Sequence, residues 1–261
     1  MCSCATLLPV QPILLAPGEG ETVADSRERT IRILLEHPHA AVTWTRYEAG
    51  ERGPDPHVHD RHHDAFYVLS GELELGIGGG SQSQTLGAGS FVGIPPGVVH
   101  TFRNASGDTA TFLNVHAPSC GFADHLRGRN PDFDQHEPPA DGGRDPRDVV
   151  VTLPGGGEPF VRHNRTITIL ADMGVLSLFD IAFDSTFVVR PHSHEIEVDA
   201  FYVVDGPAEF HVGGEWISAE AGAFASAVPG VVHGFRSGGE RSRLLNLHLP
   251  DAGFADSIRN A

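Results

Sequence analysis

The sequence predicts an all-β chain built as two tandem copies of one domain, with few and short helices. Three observations lead there. The chain repeats itself: PHVHDRHHDAFYVLSG (56–71) returns as PHSHEIEVDAFYVVDG (191–206), 135 residues on. GVVHTFRN (97–104) returns as GVVHGFRS (230–237), and LNVHAPSCGFADHLRG (113–128) as LNLHLPDAGFADSIRN (245–260), in the same order. Within each copy, short apolar/polar alternations of period two are punctuated by turn residues, 31 glycines and 19 prolines in all, which is the pattern of strands and tight connections. Helical periodicity is confined to the two GFAD segments.

The N-terminal MCSCATLLPVQPILLAPGEGE is apolar but lacks a basic lead-in and is broken by prolines, so it reads as a strand or arm rather than a signal peptide. Next, PHVHDRHH places His57 and His59 two apart, on one face of an extended segment. His62 and His63 read as solvent-facing loop residues between ligands, with the alternative that one of them enters the pocket as an acid or base. AFYVLSGELELGI is β-rich and interrupted by Ser70-Gly71, as in a hairpin. SFVGIPPGVVHTFRN is strand, turn, strand, with His100 on a strand able to fold back beside the first. TATFLNVHA sets Phe112, Asn114 and His116 on one face and Leu113 and Val115 on the other. His116 and its repeat mate His248 read as barrel-lining polar groups, and Phe66, Phe102, Phe201 and Phe235 as core or pocket walls. GFADHLRG and GFADSIRN are short helices docked on each barrel.

Residues 1–127 form the first domain and 150–261 the second. Between them, 128–149 is polar and rich in Pro, Gly and Asp without apolar periodicity, the composition of a linker, with His136 a solvated member. The 261 residues carry 34 acidic against 18 basic side chains, a net charge of −16. Such a balance excludes an electrostatic nucleic-acid footprint and disfavours anionic membranes, and no apolar run is long enough to span a bilayer. Cys2, Cys4 and Cys120 are an odd set unsuited to a disulfide framework, which places the chain in a reducing, cytoplasmic setting.

Three imidazoles and a carboxylate converge in each copy: His57, His59, Asp64 and His100, then His192, His194, Asp199 and His233. That set suits a divalent transition metal. These residues resemble the two motifs of the cupin superfamily. The first motif, HxH, four residues, an acid, six residues and Gly, is His57, His59, Asp64 and Gly71. The second is Gly89, Pro95, Gly97, His100 and Asn104. The second copy matches with His192, His194, Asp199 and Gly206, then Gly222, Gly230 and His233, with Val228 in place of the proline and Ser237 in place of Asn. Both copies carry Asp where cupins usually carry Glu.

The resemblance implies two jelly-roll barrels in tandem, a bicupin, with one metal per barrel. It is nearest to quercetin 2,3-dioxygenase-type cupins, which implies iron, nickel, manganese or copper and a dioxygenase acting on a phenolic or enolic, flavonol-like small molecule. In that group the site carboxylate takes the substrate's hydroxyl proton, which here assigns Asp64 and Asp199 as catalytic base or ligand. A carboxylate facing an apolar pocket has a raised pKa suited to that task. A zinc-dependent cyclase or isomerase of a small, polyketide-type molecule, or a non-catalytic small-molecule-binding cupin, are the alternative readings. The partner is a small molecule, and the chain acts as a monomer or homodimer.

Overall fold

The computed structural model describes residues 13–78 and 82–261, so Cys2 and Cys4 lie outside the described residues. In the first half run β1 (Ile13–Leu15), β2 (Glu21–Asp25), β3 (Arg29–His37), β4 (Ala40–Tyr47), β5 (His63–Ser70), β6 (Glu72–Ile77), β7 (Gln82–Gly87), β8 (Phe91–Ile94), β9 (His100–Arg103) and β10 (Ala110–Ala117), closed by helix α1 (Phe122–Leu126). The second half runs β11 (Val150–Thr152), β12 (Glu158–Arg162), β13 (Arg165–Asp172), β14 (Ser177–Asp184), β15 (Val188–His192), β16 (Val198–Asp205), β17 (Ala208–Val212), β18 (Glu215–Ala219), β19 (Phe224–Ala227), β20 (His233–Ser237) and β21 (Arg241–Leu249), closed by α2 (Phe254–Arg259). Both helices fall on the GFAD segments. Among the described residues, no helix is long and apolar enough to cross a membrane.

Each barrel pairs a seven-stranded sheet with a smaller one. The first joins β11-β8-β5-β10-β4-β3-β2 to β7-β6-β9, and the second joins β1-β19-β16-β21-β14-β13-β12 to β15-β20-β17-β18. Sheet membership cuts across the sequence repeat. β1 pairs antiparallel with β19 of the second barrel, and β11 pairs with β8 of the first. The two short strands are exchanged, each crossing from one barrel to the other through a Pro-Gly segment at 17–20 and 154–157.

The expected hairpin at Ser70-Gly71 is not a hairpin. β5 pairs with β8 and β10, whereas β6 pairs with β7 and β9, so the chain steps between sheets there. The step needs glycine: Gly71 has φ +71°, and a Cβ would sit 2.4 Å from the carbonyl oxygen of Thr109. Gly206 makes the same step in the second barrel, with φ +68°. Alternation supplies periodicity two in either case, and only the partner strand distinguishes hairpin from crossover.

The central strands are buried on both faces. In β10, Phe112 joins the apolar core of the first barrel, while Leu113 and Val115 pack outward. There they meet Leu170, Leu178, Leu245 and Leu247 of the other half in one continuous core. The large sheets therefore stack back to back, and each barrel covers the other's outer face. Because this core belongs to both halves, truncating it weakens both. Leu247→Ala is expected to cost about 2–5 kcal/mol and to lower a single thermal transition shared by the two barrels. Calorimetry checks it, and a split into two transitions would contradict the shared core.

Candidate metal centre

His57, His59, Asp64 and His100 meet at one end of the first barrel. One ligand atom from each lies within 4.8 Å of the others, and all four residues are buried. The chain brings them together by pairing the HxH segment against β9: His57 and His100 exchange two backbone hydrogen bonds, at 3.0 and 2.9 Å. Asp64 enters from β5 and faces the two rings, its Oδ2 lying 3.3 Å from His100 Nε2 and 3.8 Å from His59 Nε2.

Each imidazole is oriented from behind. His57 Nδ1 donates to the carbonyl of Asp55 at 2.9 Å, His100 Nδ1 to that of Val98 at 3.0 Å, and His59 Nδ1 to that of Asp134 at 2.5 Å. With the proton fixed on Nδ1, every Nε2 offers its lone pair inward, the arrangement by which metal-bound histidines are held. His59 Nε2 is buried and has no hydrogen-bond partner, which is an acceptor waiting for an electrophile. The donor set, three neutral imidazoles and one carboxylate, fits a divalent transition metal. Burial, then the neighbouring His100 and His59, bring the His57 pKa down to about 3, so the ring is neutral and able to ligate near pH 7.

The expected rise in the Asp64 pKa is reversed. Burial pushes the carboxyl up, but His116, His100 and His59 outweigh it and hold it well below the usual carboxylate range. The pocket is apolar only on its far wall, and the carboxylate itself sits among imidazoles. Asn114 fixes its other oxygen, donating Nδ2–H to Asp64 Oδ1.

Behind Asn114 runs a buried polar chain that the sequence reading missed. Asn114 Oδ1 meets His116 Nε2 at 3.1 Å, His116 Nδ1 meets His62 Nε2 at 2.8 Å, and His62 Nδ1 donates to Asp134 Oδ2 at 2.8 Å. His62 is thus fully buried rather than solvent-facing, and its neighbour His63 is half-buried in β5. The connector is not a plain linker either. Phe133 and Asp134 are buried, and His136, half-exposed, pairs its backbone with Val58 and its ring with Asp134. A short polar stretch without periodicity gives no hint of such docking, because one buried acid does the work that a hydrophobic stripe would otherwise signal.

The second barrel repeats the cluster. His192, His194, Asp199 and His233 converge within the same 4.8 Å, with His192 and His194 partly open to solvent. Nδ1 of His192 and of His233 donates to the carbonyls of Arg190 and Val231, both at 2.9 Å. His194 Nε2 is buried without a hydrogen-bond partner, as His59 Nε2 is. Here Asn246 holds Asp199 and His248 backs Asn246, but the chain ends at Glu197, whose carboxylate reaches both His248 Nδ1 and His194 Nδ1.

The barrels differ in what lies beside the cluster. A cavity of about 270 Å³ opens onto His57, His59 and Asp64, lined by Thr43, Thr45, Tyr47, Gly53, Phe102 and Phe112 among others. Strand register makes Phe179 the counterpart of Thr43 and Ile181 that of Thr45, since Asn114 faces Thr43 and Asn246 faces Phe179. Phe179 and Ile181 are buried in the second barrel's core and fill the corresponding space. A larger cavity, about 420 Å³, lies between the barrels against residues 154–157, Asp180 and Arg243. It touches neither cluster, so the smaller one is the chemically relevant space.

Residues 43–116 and 184–248 both match the family model for the cupin domain. The chain belongs to the cupin domain family. As a bicupin it is similar along 95% of its length to the quercetin 2,3-dioxygenase of Bacillus subtilis (strain 168), at 23% identity over 294 residues and 86% of that protein. Among solved structures it is similar to a Pseudomonas aeruginosa protein named for induction by glyoxylate, with a TM-score of 0.68 at 19% identity, covering 95% of this chain and 92% of that one. It is also similar to the oxalate decarboxylase of Bacillus subtilis, with a TM-score of 0.65 at 14% identity, covering 94% and 77%. The structural likenesses establish the two-barrel fold, and the clusters are groups that could hold a metal ion.

Buried neutral histidines make the metal-free protein acid-sensitive. His57 titrates near pH 3 and His62, lowered chiefly by burial, near pH 4, against about 6.5 in the unfolded chain. Between those limits the unfolded state binds more protons, so stability falls as pH drops below 6.5, by about 1.4 kcal/mol per pH unit for each group. Asp64, whose pKa is also lowered on folding, adds a loss in the same direction, but only below its unfolded pKa of about 3.8, outside this window. Denaturant titrations of chelator-treated protein at pH 7, 6 and 5 are expected to show this loss, and a pH-independent midpoint would refute it.

Proposed function

We propose that the protein is a metal-dependent oxygenase, specifically a dioxygenase acting on a phenolic or enolic, flavonol-like small molecule, with the first barrel as the reacting one. The observation that carries this reading is the cavity of about 270 Å³ opening directly onto the His57, His59 and Asp64 side chains. The near-full-length likeness to a quercetin 2,3-dioxygenase supports it. His57, His59 and His100 would hold the metal through Nε2, with Asp64 as the fourth ligand. The metal would supply Lewis acidity and a centre for oxygen.

The chain's own residues account for the rest. Ile31, Phe102 and Phe112 give the cavity an apolar, largely aromatic wall, which excludes water and suits the face of an aromatic or enolic ring. Thr43 and Thr45, 3.5 Å apart through their hydroxyls, offer polar contacts on the opposite strand. Asp64 is ionised and aligned by Asn114, so it is an acceptor for a hydroxyl proton from a substrate acidified at the site. Its low pKa makes it a weak base at rest, so its anionic charge in the cluster is its first contribution. In the second barrel the same cluster faces Phe179 and Ile181, which leaves it able to hold a metal but without comparable room for a ring.

An oxygen electrode with a panel of flavonols and catechols, paired with metal analysis, tests this. Asp64→Asn is expected to lower kcat/KM by about 100-fold or more, and Thr43→Phe to abolish turnover while the metal content is unchanged. Asp199→Asn is expected to leave turnover near wild type. Full activity in Asp64→Asn would rule out its role, and zinc as the native metal would move the reading to cyclase or isomerase chemistry.

A further inference from the structure

The two barrels reach the same cluster geometry by different routes, and the difference sits at one repeat position. His62 and Glu197 are equivalents, each three residues after the second histidine of HxH and two before the acid. In the second barrel Glu197 is a complete anchor. One oxygen takes His194 Nδ1 at 2.9 Å, and the other takes His248 Nδ1 at 3.2 Å and the backbone N–H of Ala252 at 2.9 Å. In the first barrel that position is a histidine, which cannot serve as an anion. The missing carboxylate comes from Asp134 in the connector, 72 residues further along the chain.

We propose that Asp134 is the positioning residue of the first metal centre, standing in for the role that Glu197 performs in the second. It reaches the cluster twice. Its carbonyl seats His59 directly, and its carboxylate seats His62, which carries the orientation through His116 and Asn114 to Asp64. The carboxylate is itself fixed by backbone N–H groups of Asp60, at 3.2 Å, and Arg61, at 2.8 Å. A buried acid with this many donors has no reason to sit in an inter-barrel connector unless it completes something, and what it completes is the hydrogen-bonded support behind His59 and His62. The first centre therefore depends on the connector, and the second does not.

The inference rests on the clusters binding metal, and the test separates the two. Co(II) alone is the probe, read by its visible absorption in a His192→Ala/His233→Ala parent that silences the second centre. A parent that takes up no Co(II) would end the metal reading itself, before any connector variant is considered. Given uptake, Asp134→Ala is expected to weaken Co(II) binding by about 10- to 100-fold, the usual cost of losing a residue that orients a metal ligand. Adding His62→Glu gives the first barrel the second barrel's arrangement, and the His62→Glu/Asp134→Ala pair is expected to recover most of that loss, which general destabilisation would not do. Asp134→Ala with the second centre intact is expected to keep one tight equivalent of Co(II), which reports that the chain has folded. If it does not, Asp134→Asn replaces it. Co(II) affinity unchanged in the Asp134 variant, or a double variant no tighter than the single, would overturn the proposal.

Discussion

The structure depends on a single constraint repeated at each ligand-type histidine: the ring must give its Nδ1 proton away on one side so that Nε2 is free on the other. Backbone carbonyls meet that need for His57, His100, His192 and His233 from residues two positions earlier. The acceptor is thus built into the local turn and survives any sequence change that keeps the backbone path. The second histidine of each HxH pair has no such local acceptor. His59 and His194 must find theirs elsewhere, and much of what differs between the barrels follows from where they find it.

That difference extends to the barrel interiors. Strands of identical topology carry Thr43 and Thr45 in one copy and Phe179 and Ile181 in the other. A phenyl ring and a branched aliphatic chain complete a packed core, whereas two threonines at those sites leave space and a pair of hydroxyls beside the cluster. The second barrel has the denser interior, and the first has traded part of that packing for a cavity. Phe122 and Phe254 show what did not diverge: each stacks on the histidine behind the asparagine, with ring centroids 3.5 Å apart for His116 and 4.2 Å for His248. The GFAD helices cap the clusters in both barrels.

Much of this was legible in the residues. The internal repeat and the alternation specified two all-β copies with short helices, the likeness to the cupin motifs implied that each is a barrel, and the HxH, acid and distant His pattern specified eight side chains that do converge in two groups of four. What stayed hidden depended on contacts far apart in sequence. The step at Gly71 looks like a hairpin because alternation is silent about which strand is the neighbour. His62 looks exposed because its partner, Asp134, lies in a stretch with no periodicity to mark it as docked. The sign of the Asp64 shift required knowing that its nearest neighbours are imidazoles rather than hydrocarbon. One clue was available: His62 and Glu197 are the position where an otherwise close repeat changes from a base to an acid, next to a conserved geometry that needs an anion.

The exchange of β1 and β11 sets a rule for how such a molecule can be taken apart. A single-copy chain of this kind, bearing the same leading arm, would have its own sheet edge open and a strand suited to someone else's, so it would find completion only in a second molecule. Joining two copies end to end turns that encounter into an event within one chain, independent of concentration. The cost is independence. Neither half can be excised, inherited or recombined alone without leaving a vacant edge on one barrel and an orphan strand on the other, so the two barrels, however far their interiors drift apart, remain a single unit of selection.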